Sequence, residues 1–274
     1  MWGTNWGLFQ LAVREVSVWT FRAVSLLLAA ALVLAIAKVR GYSLKVPRGE
    51  RMPIITSALC YMFVWHIAST YAAILLPSGQ AAVLGFTMPI WATLISWLIL
   101  GQRPSRRHFA AVLLAGMGIS SLAYSSWSAY ASAPLGFMCG LSAAFGWAIG
   151  TLILHRSTLS TPSIVSTGWQ LLIAGIPVAL VAFVQAPHVL FLPSWTTVLV
   201  IGYITLIPMS LGNIAWFQIA KTLPATISGI STVMVPMLAM VTGAIFLREP
   251  LGFLQIVAML CSACALLLAL KKDH

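Results

Sequence analysis

Acidic side chains are almost absent from this sequence. Four occur among 274 residues, Glu15, Glu50, Glu249 and Asp273, and none of them lies within a long apolar run. A carrier that couples transport to protons through a buried carboxylate needs an acid inside a membrane helix. The sequence therefore excludes that mechanism.

Charged residues of both signs are scarce as well. They make up 7% of the chain, against 61% hydrophobic residues and a mean hydropathy of +1.00, whereas a soluble domain carries about 25% charged residues. A lipid core is about 30 Å thick and is crossed by helices of about 20 apolar residues. The composition therefore predicts an all-α integral membrane protein with no soluble domain.

Disulfide, metal and cofactor motifs are also missing. The four cysteines, Cys60, Cys139, Cys261 and Cys264, lie inside apolar stretches. Cys261 and Cys264 have C-x-x-C spacing, but no other Cys or His lies near them in the sequence to complete the four ligands of a zinc site. We therefore predict no metal site and no cofactor.

Signatures of enzymes and channels are absent too. The sequence has no G-x-S-x-G or H-E-x-x-H motif and no paired membrane aspartates, which argues against an intramembrane enzyme. It also lacks the charge rings and carbonyl filters that are typical of channels. The pattern favours a transporter. Its coupling has two alternatives, facilitated diffusion and proton movement linked to a histidine.

Ten apolar runs, separated by charges or by Pro, Gly and Ser clusters, are predicted to form transmembrane helices. They cover residues 2–13, 17–37, 53–73, 80–100, 106–124, 134–155, 164–184, 196–219, 226–247 and 251–270. The first run is too short to span a membrane, and it lacks a cytoplasmic half. We therefore expect the natural start of the chain to lie upstream of Met1.

The basic residues predict the orientation of these helices. If the N-terminus is cytoplasmic and the helices alternate, twelve of the fifteen Lys and Arg residues fall on the cytoplasmic side, as in other membrane proteins. Both termini are therefore assigned to the cytoplasm. The net charge of +11 reflects this orientation rather than nucleic-acid binding.

An internal repeat relates the two halves of the chain. Residues 76–104 and 223–250 match at a constant offset of 147, which pairs Pro77 with Pro224, Pro89 with Pro236, Leu100 with Leu247, and Gln102 with Glu249. Because five helices are an odd number, the second copy must enter the membrane from the opposite side. We therefore predict two inverted five-helix repeats, 1–125 and 134–270, around a central cavity. Pro89 and Pro236 are the predicted hinges, since a proline bends a membrane helix.

The pattern P-(x11)-P-(x10)-L-x-[EQ], present twice, resembles the EamA repeat of the drug/metabolite transporter superfamily. This resemblance implies ten helices in two inverted halves, export of small metabolites, and a bacterial cytoplasmic (inner) membrane. The stretch VWHIASTYAA at 64–73 is similar to ten-helix exporters of amino acids, including aromatic ones. The expected activity is export of neutral or aromatic amino acids by a monomer whose partners are a small-molecule substrate and the lipid bilayer. Export of nucleosides, drugs or other metabolites is the alternative.

His66 is the leading candidate for substrate binding, because it is the only histidine well inside a predicted helix. A polar side chain in lipid needs a partner, and a neutral imidazole can both donate and accept a hydrogen bond. It would suit a substrate with ammonium and carboxylate groups. The alternative is a structural hydrogen bond between helices.

Aromatic and polar residues complete the predicted site. Indole rings can bind flat apolar groups or a cation, although packing explains any single tryptophan equally well. The predicted residues besides His66 are Trp65, Trp91, Trp147, Asn5, Tyr203, Asn213 and Ser231. Arg22, about one turn into its helix, is expected to reach the outer surface or to pair with Glu15. Gly136 and Gly140, and again Gly146 and Gly150, are spaced by four, which predicts close helix packing.

Overall fold

The computed structural model describes residues 2–103, 105–125, 127–185, 192–216 and 234–247 and isolated positions between 252 and 264. All regular structure in these segments is helical. A 3₁₀ turn, Trp2–Thr4, leads into α1 (Asn5–Ala12). The other helices are α2 (Val18–Val39), α3 (Arg48–Leu75), α4 (Ser78–Leu98), α5 (Arg106–Ser125), α6 (Trp127–Ser132), α7 (Pro134–Arg156), α8 (Ser163–Val184), α9 (Trp195–Trp216) and α10 (Met234–Leu247).

Six of the described helices are long and apolar enough to cross a membrane, namely α2, α3, α4, α7, α8 and α9. Large apolar side chains such as Leu28 and Leu180 are exposed on their outer faces, as expected where lipid replaces water. This confirms the all-α membrane class. The predicted helix at 251–270 and the first part of the one at 226–247 lie outside the described residues. The short α6 was not predicted.

The beginning of α3 differs from the prediction, because the helix starts at Arg48 rather than at residue 53. Its first turn is tied to the α7–α8 connection by Glu50. This carboxylate accepts hydrogen bonds from the backbone N–H groups of Ser160 (2.9 Å) and Thr161 (3.0 Å) and from both of their hydroxyls. An acid near a helix N-terminus is also favoured by the helix dipole.

α2 and α8 form the most extensive helix pair in the described part of the chain. Gly168 faces Leu34, while Gly175, further along α8, faces Leu27, nearer the start of α2. The two helices therefore run antiparallel. Their first residues, Val18 and Ser163, are 145 apart, close to the offset of the repeat.

The glycines of α7 permit close contact with α3 and α4, as the spacing predicted. Gly146 lies against the Cys60 carbonyl, and Gly150 lies against Tyr61 and the Ser57 carbonyl. The Ser57 hydroxyl donates a 3.0 Å hydrogen bond to the Gly150 carbonyl. Small residues are needed here because the two backbones come within hydrogen-bonding range.

α3 and α9 each contain one π-helical segment, at Ala58–Phe63 and Thr205–Leu211. The two segments begin 147 residues apart, which is the offset of the sequence repeat. π-helical turns inside α-helices are frequent at functional sites. In α9 the segment contains Pro208, which has no N–H to donate.

α4 is interrupted near its middle. Its first part ends at Gly85, and its second part begins at Met88, with Pro89 in the first turn. The break is explained by the proline ring, which would clash with the carbonyl four residues earlier in an unbroken helix. Proline is well tolerated in a first turn. The backbone of Pro236 is helical, within α10.

The glycine contacts predict opposite effects for two matched substitutions. A Cβ at position 150 would lie 3.0 Å from the Ser57 carbonyl oxygen and 3.1 Å from the Tyr61 backbone nitrogen, whereas a Cβ at position 202 would meet nothing within 4 Å. Gly150→Ala should therefore destabilise the protein by about 1–3 kcal/mol. Gly202→Ala should be neutral or stabilise it by about 0.5–1 kcal/mol. Thermal unfolding in detergent measures both, and equal melting temperatures for the two variants would contradict the close α3–α7 contact.

Candidate functional site

A small cavity, of about 30 Å³ in this conformation, lies where α1, α2, α3, α4, α7 and α9 meet. Its aromatic lining residues are Trp2, Trp6, Phe9, Tyr61, Trp65, Phe86 and Trp147. Its other lining residues are Asn5, Arg22, His66, Pro208, Met209 and Asn213. The hollow is therefore mainly aromatic, with four polar side chains.

Trp147 lies at the centre of the aromatic wall and is 2% exposed. Its ring stacks on Tyr61, with centroids 5.6 Å apart and an interplanar angle of 8°. It meets Trp65 at 4.6 Å, Phe86 at 5.5 Å and Trp2 at 5.9 Å in edge-on contacts. Such contacts stabilise aromatic pairs beyond the burial of their area, so the wall is a rigid surface for a flat apolar group.

Arg22 corrects the expectation from the sequence. Its side chain is fully buried and lines the cavity, so it neither reaches the surface nor pairs with Glu15. Glu15 instead interacts with Ser194. The Ser194 side chain and then its backbone N–H, which donates a 2.7 Å hydrogen bond to the carboxylate, lower the pKa of this exposed carboxyl. The physical reason is the helix face. Arg22 lies on the same side of α2 as Leu26, Ala29 and Val33, which are completely buried, so the direction of its side chain is set by packing.

Four side chains surround the Arg22 guanidinium. Its Nε–H donates to the Thr70 hydroxyl, and Nη1 lies 4.0 Å from the Met209 sulfur. Its Cζ lies 4.3 Å from the centroid of the Phe9 ring and 4.5 Å from that of Phe21, at distances that permit cation–π attraction. Nη2 has no hydrogen-bond partner among the described residues. A charge within the membrane costs at least about 2.5–3.5 kcal/mol, so this group needs water or a ligand from the cavity.

His66 lies beside Arg22 and is 6% exposed. Its carbonyl accepts a 2.7 Å hydrogen bond from the Thr70 hydroxyl, which in turn accepts from Arg22. Neither ring nitrogen has a hydrogen-bond partner in the described segments. The predicted alternative, an imidazole that joins two helices, has no support among those segments.

The two asparagines occupy other parts of the cavity wall. The Asn5 side-chain oxygen is buried without a partner among the described residues. The Asn213 amide donates a 2.7 Å hydrogen bond to the Met209 carbonyl. This hydrogen bond fixes the orientation of the Asn213 amide, and the amide oxygen can still accept hydrogen bonds.

Several lining residues occupy matching positions in the two halves of the chain. At the offset of 147, His66 corresponds to Asn213, and Tyr61 corresponds to Pro208. Trp2 and Trp147 correspond at an offset of 145, which is also the offset of α2 and α8. Residues at matching positions of the sequence repeat therefore line the same cavity.

Two predicted residues lie away from this cavity, and one lies outside the described residues. Trp91 packs edge-on against Phe145 at 5.4 Å and donates through Nε1 to the Thr87 hydroxyl at 3.2 Å. The exposed Tyr203 hydroxyl shares a 2.9 Å hydrogen bond with Thr4. Ser231 is the residue that falls outside the described segments. The other five predicted residues, His66, Trp65, Trp147, Asn5 and Asn213, line the cavity, and their roles in binding stay predictions.

Sequence reasoning missed eight of the lining residues, among them Arg22, Tyr61 and Phe86. Arg22 could have been found from its place on the apolar face of α2. Tyr61 could have been found from the repeat, because at the offset of 147 it corresponds to Pro208, a proline inside the matching helix. Phe86 follows the last residue before the break in α4, a position that the sequence did not define. Within the described segments no group of three or more His, Cys, Asp or Glu residues could hold a metal ion.

Comparison with known proteins identifies a family and a fold. The model of the EamA-like transporter family matches residues 1–124 and again residues 134–271. A solved crystal structure superposes with a TM-score of 0.75 and covers 98% of this chain and 94% of that chain. Because the sequence identity is 18%, this likeness shows the fold alone.

Two bacterial relatives are informative. An uncharacterized transporter of Bacillus subtilis, YvbV, is 25% identical over 270 residues, which are 95% of this chain and 87% of that protein. A probable amino-acid metabolite efflux pump of Escherichia coli is 26% identical over 190 residues, which are 66% of this chain and 63% of that protein. Both names describe transport proteins.

The ring contacts predict which tryptophan the fold depends on. Trp147→Ala should lower the free energy of unfolding by about 3–5 kcal/mol, because it removes a buried ring and leaves a cavity. Trp91→Ala, at a half-buried position away from the hollow, should cost clearly less. Thermal unfolding of both variants in the same detergent provides the measurement. An equal or larger loss for Trp91→Ala would show that the wall around Trp147 is not the packing centre.

Proposed function

Because the chain belongs to the EamA-like transporter family, as the sequence resemblance predicted, we propose that it exports neutral or aromatic amino acids or similar amphipathic metabolites by alternating access. The family, the relatives' names and the membrane-length helices indicate a multi-pass inner membrane transporter. The substrate and the transport cycle are the proposal.

The cavity is the observation that carries this proposal. Its aromatic wall around Trp147 suits a flat apolar group, while Arg22, His66 and the two asparagines offer hydrogen bonds at its edge. Binding sites of small molecules commonly combine an apolar lining with a few polar groups in this way. The name of the Escherichia coli amino-acid metabolite efflux pump supports the same class of substrate.

The proposed architecture consists of ten helices in two inverted five-helix repeats, 1–125 and 134–270, with both termini in the cytoplasm. Support comes from the antiparallel packing of α2 and α8 and from the π-helical segments 147 residues apart. In such carriers the substrate binds near mid-membrane, between the repeats. The matching positions of His66 and Asn213 at one cavity fit this arrangement.

The proposed hinges are Pro89 and Pro236. The interruption of α4 before Pro89 lies next to Phe86, which lines the cavity. A broken helix at this position can bend without the loss of further backbone hydrogen bonds, because those around Phe86 are already rearranged. Rocking of one repeat against the other about these points would open the cavity to one side of the membrane at a time.

Counterflow in proteoliposomes tests this function. Labelled L-phenylalanine should enter faster when unlabelled phenylalanine is present inside, because a carrier is accelerated by substrate on the far side and a channel is not. His66→Ala should lower the rate about tenfold, the loss expected when one hydrogen bond to the substrate is removed. Unlabelled nucleosides and drugs, added as competitors, distinguish the alternative substrates.

Tyr203→Phe provides the matched control, since it removes a polar atom from a membrane helix away from the cavity. It should retain the rate of the unaltered protein. Wild-type rates in a correctly folded His66→Ala variant would remove His66 from the binding site, and the absence of counterflow with any amphipathic probe would reject the proposed substrate class.

A further inference from the structure

The cavity contains a buried cation, and no acid of the described segments balances it. Arg22 is fully buried, and two of the sequence's four acids are engaged at the ends of helices, Glu15 with Ser194 and Glu50 with the α7–α8 connection. The other two, Glu249 and Asp273, follow α10 in the sequence. Among the described residues, therefore, no carboxylate lines the cavity.

One edge of the guanidinium is hydrogen-bonded. Its other edge, here called the open edge, is buried, and a thioether is the one acceptor it meets among the described residues. The Thr70 hydroxyl accepts from Nε and is itself anchored to the His66 carbonyl, while Phe9 and Phe21 contact the guanidinium. Nη1 meets only a thioether sulfur, which is a weak acceptor, and Nη2 meets no acceptor in the described segments. The two terminal nitrogens of an arginine match the two oxygens of a carboxylate.

The remaining polar groups in the cavity are neutral amides and an imidazole. Asn5 offers a buried oxygen without a partner among the described residues, and His66 offers ring nitrogens in the same condition. These groups can bind an amine or a hydroxyl, but in the described segments none of them carries a negative charge. A ligand with a net positive charge would instead be repelled by Arg22.

We propose that Arg22 is the anion-binding residue of the cavity and that the substrate class is aromatic monocarboxylates, for which the carboxylate is required and an amino group is not. This inference rests on the proposed function, because it defines the substrate of the same cavity. The carboxylate lies on the open edge of Arg22, and the flat apolar group lies against the wall around Trp147. Aromatic amines without a carboxylate are excluded.

Three probes that share one ring and one chain length separate the two charges. They are L-phenylalanine, 3-phenylpropionate, which lacks the amino group, and 2-phenylethylamine, which lacks the carboxylate. Binding to the purified full-length protein in detergent is measured by calorimetry, with quenching of tryptophan fluorescence as a second readout. The first two probes should bind, and 2-phenylethylamine should bind at least about tenfold more weakly, as expected for the loss of a charge-assisted contact.

Variants at two arginines test the assignment. Arg22→Gln should weaken 3-phenylpropionate binding at least about tenfold without weakening that of 2-phenylethylamine. Arg22→Lys keeps the charge but not the planar fork, so its affinity for 3-phenylpropionate should lie between those of the unaltered protein and Arg22→Gln. Arg14→Gln removes an exposed positive charge outside the cavity and should change neither affinity. Thermal unfolding of each variant shows whether it is folded, and the comparison of probes on the unaltered protein needs no variant.

Three results would overturn the inference. They are equal affinity for the amine and the carboxylate, unchanged carboxylate binding in Arg22→Gln, and no binding of any of the three probes. Failure of the proposed function has a different signature. Carboxylates would then bind to the unaltered protein and depend on Arg22, but no probe would show counterflow in proteoliposomes.

Discussion

The cost of a charge in the membrane is the constraint on which this structure depends. Arg22 can be buried only because Thr70 accepts from it, two phenyl rings cover it, and a cavity lies beside its remaining donors. These contacts bring α1, α2, α3 and α9 together at one point. The same point is the polar edge of an otherwise aromatic hollow, so the group that is most costly to bury lies where a ligand can bind it.

The two halves of the chain build the hollow from matching positions but do not make it symmetric. His66 and Asn213 are equivalent, as are Trp2 and Trp147, and glycines let the helices approach closely enough to bring them together. Arg22 has a different counterpart. At the offset of 145 it corresponds to Thr167, whose hydroxyl donates to the Ser163 carbonyl in its own helix. Among the described lining residues the positive charge therefore comes from one half of the chain, which favours a ligand with one negatively charged end.

The sequence predicted the parts of the fold that depend on periodicity and repetition. The limits of α2 and α8, the glycine face of α7 and the placement of His66 follow from apolar runs and spacing. It did not predict Arg22, because its distance from the helix end suggested a surface position, whereas its helix face determines its burial. The break in α4 arises because the Pro89 ring would clash with the preceding turn of an unbroken helix. The sequence does not specify how the backbone rearranges to avoid that clash. Trp91 packs against Phe145 away from the cavity, because depth in a helix does not reveal which neighbour a ring meets.

The central claim is that two copies of one helical unit enclose this cavity with opposite orientation in the membrane. Labelling of single cysteines with a membrane-impermeant thiol reagent tests it directly, after the four native cysteines have been replaced. Ser43, after α2, and Leu192, after α8, lie in equivalent connections and are exposed. The account predicts that Leu192→Cys is labelled from outside intact cells and Ser43→Cys only after the membrane is opened. Labelling of both cysteines from the same side would contradict it.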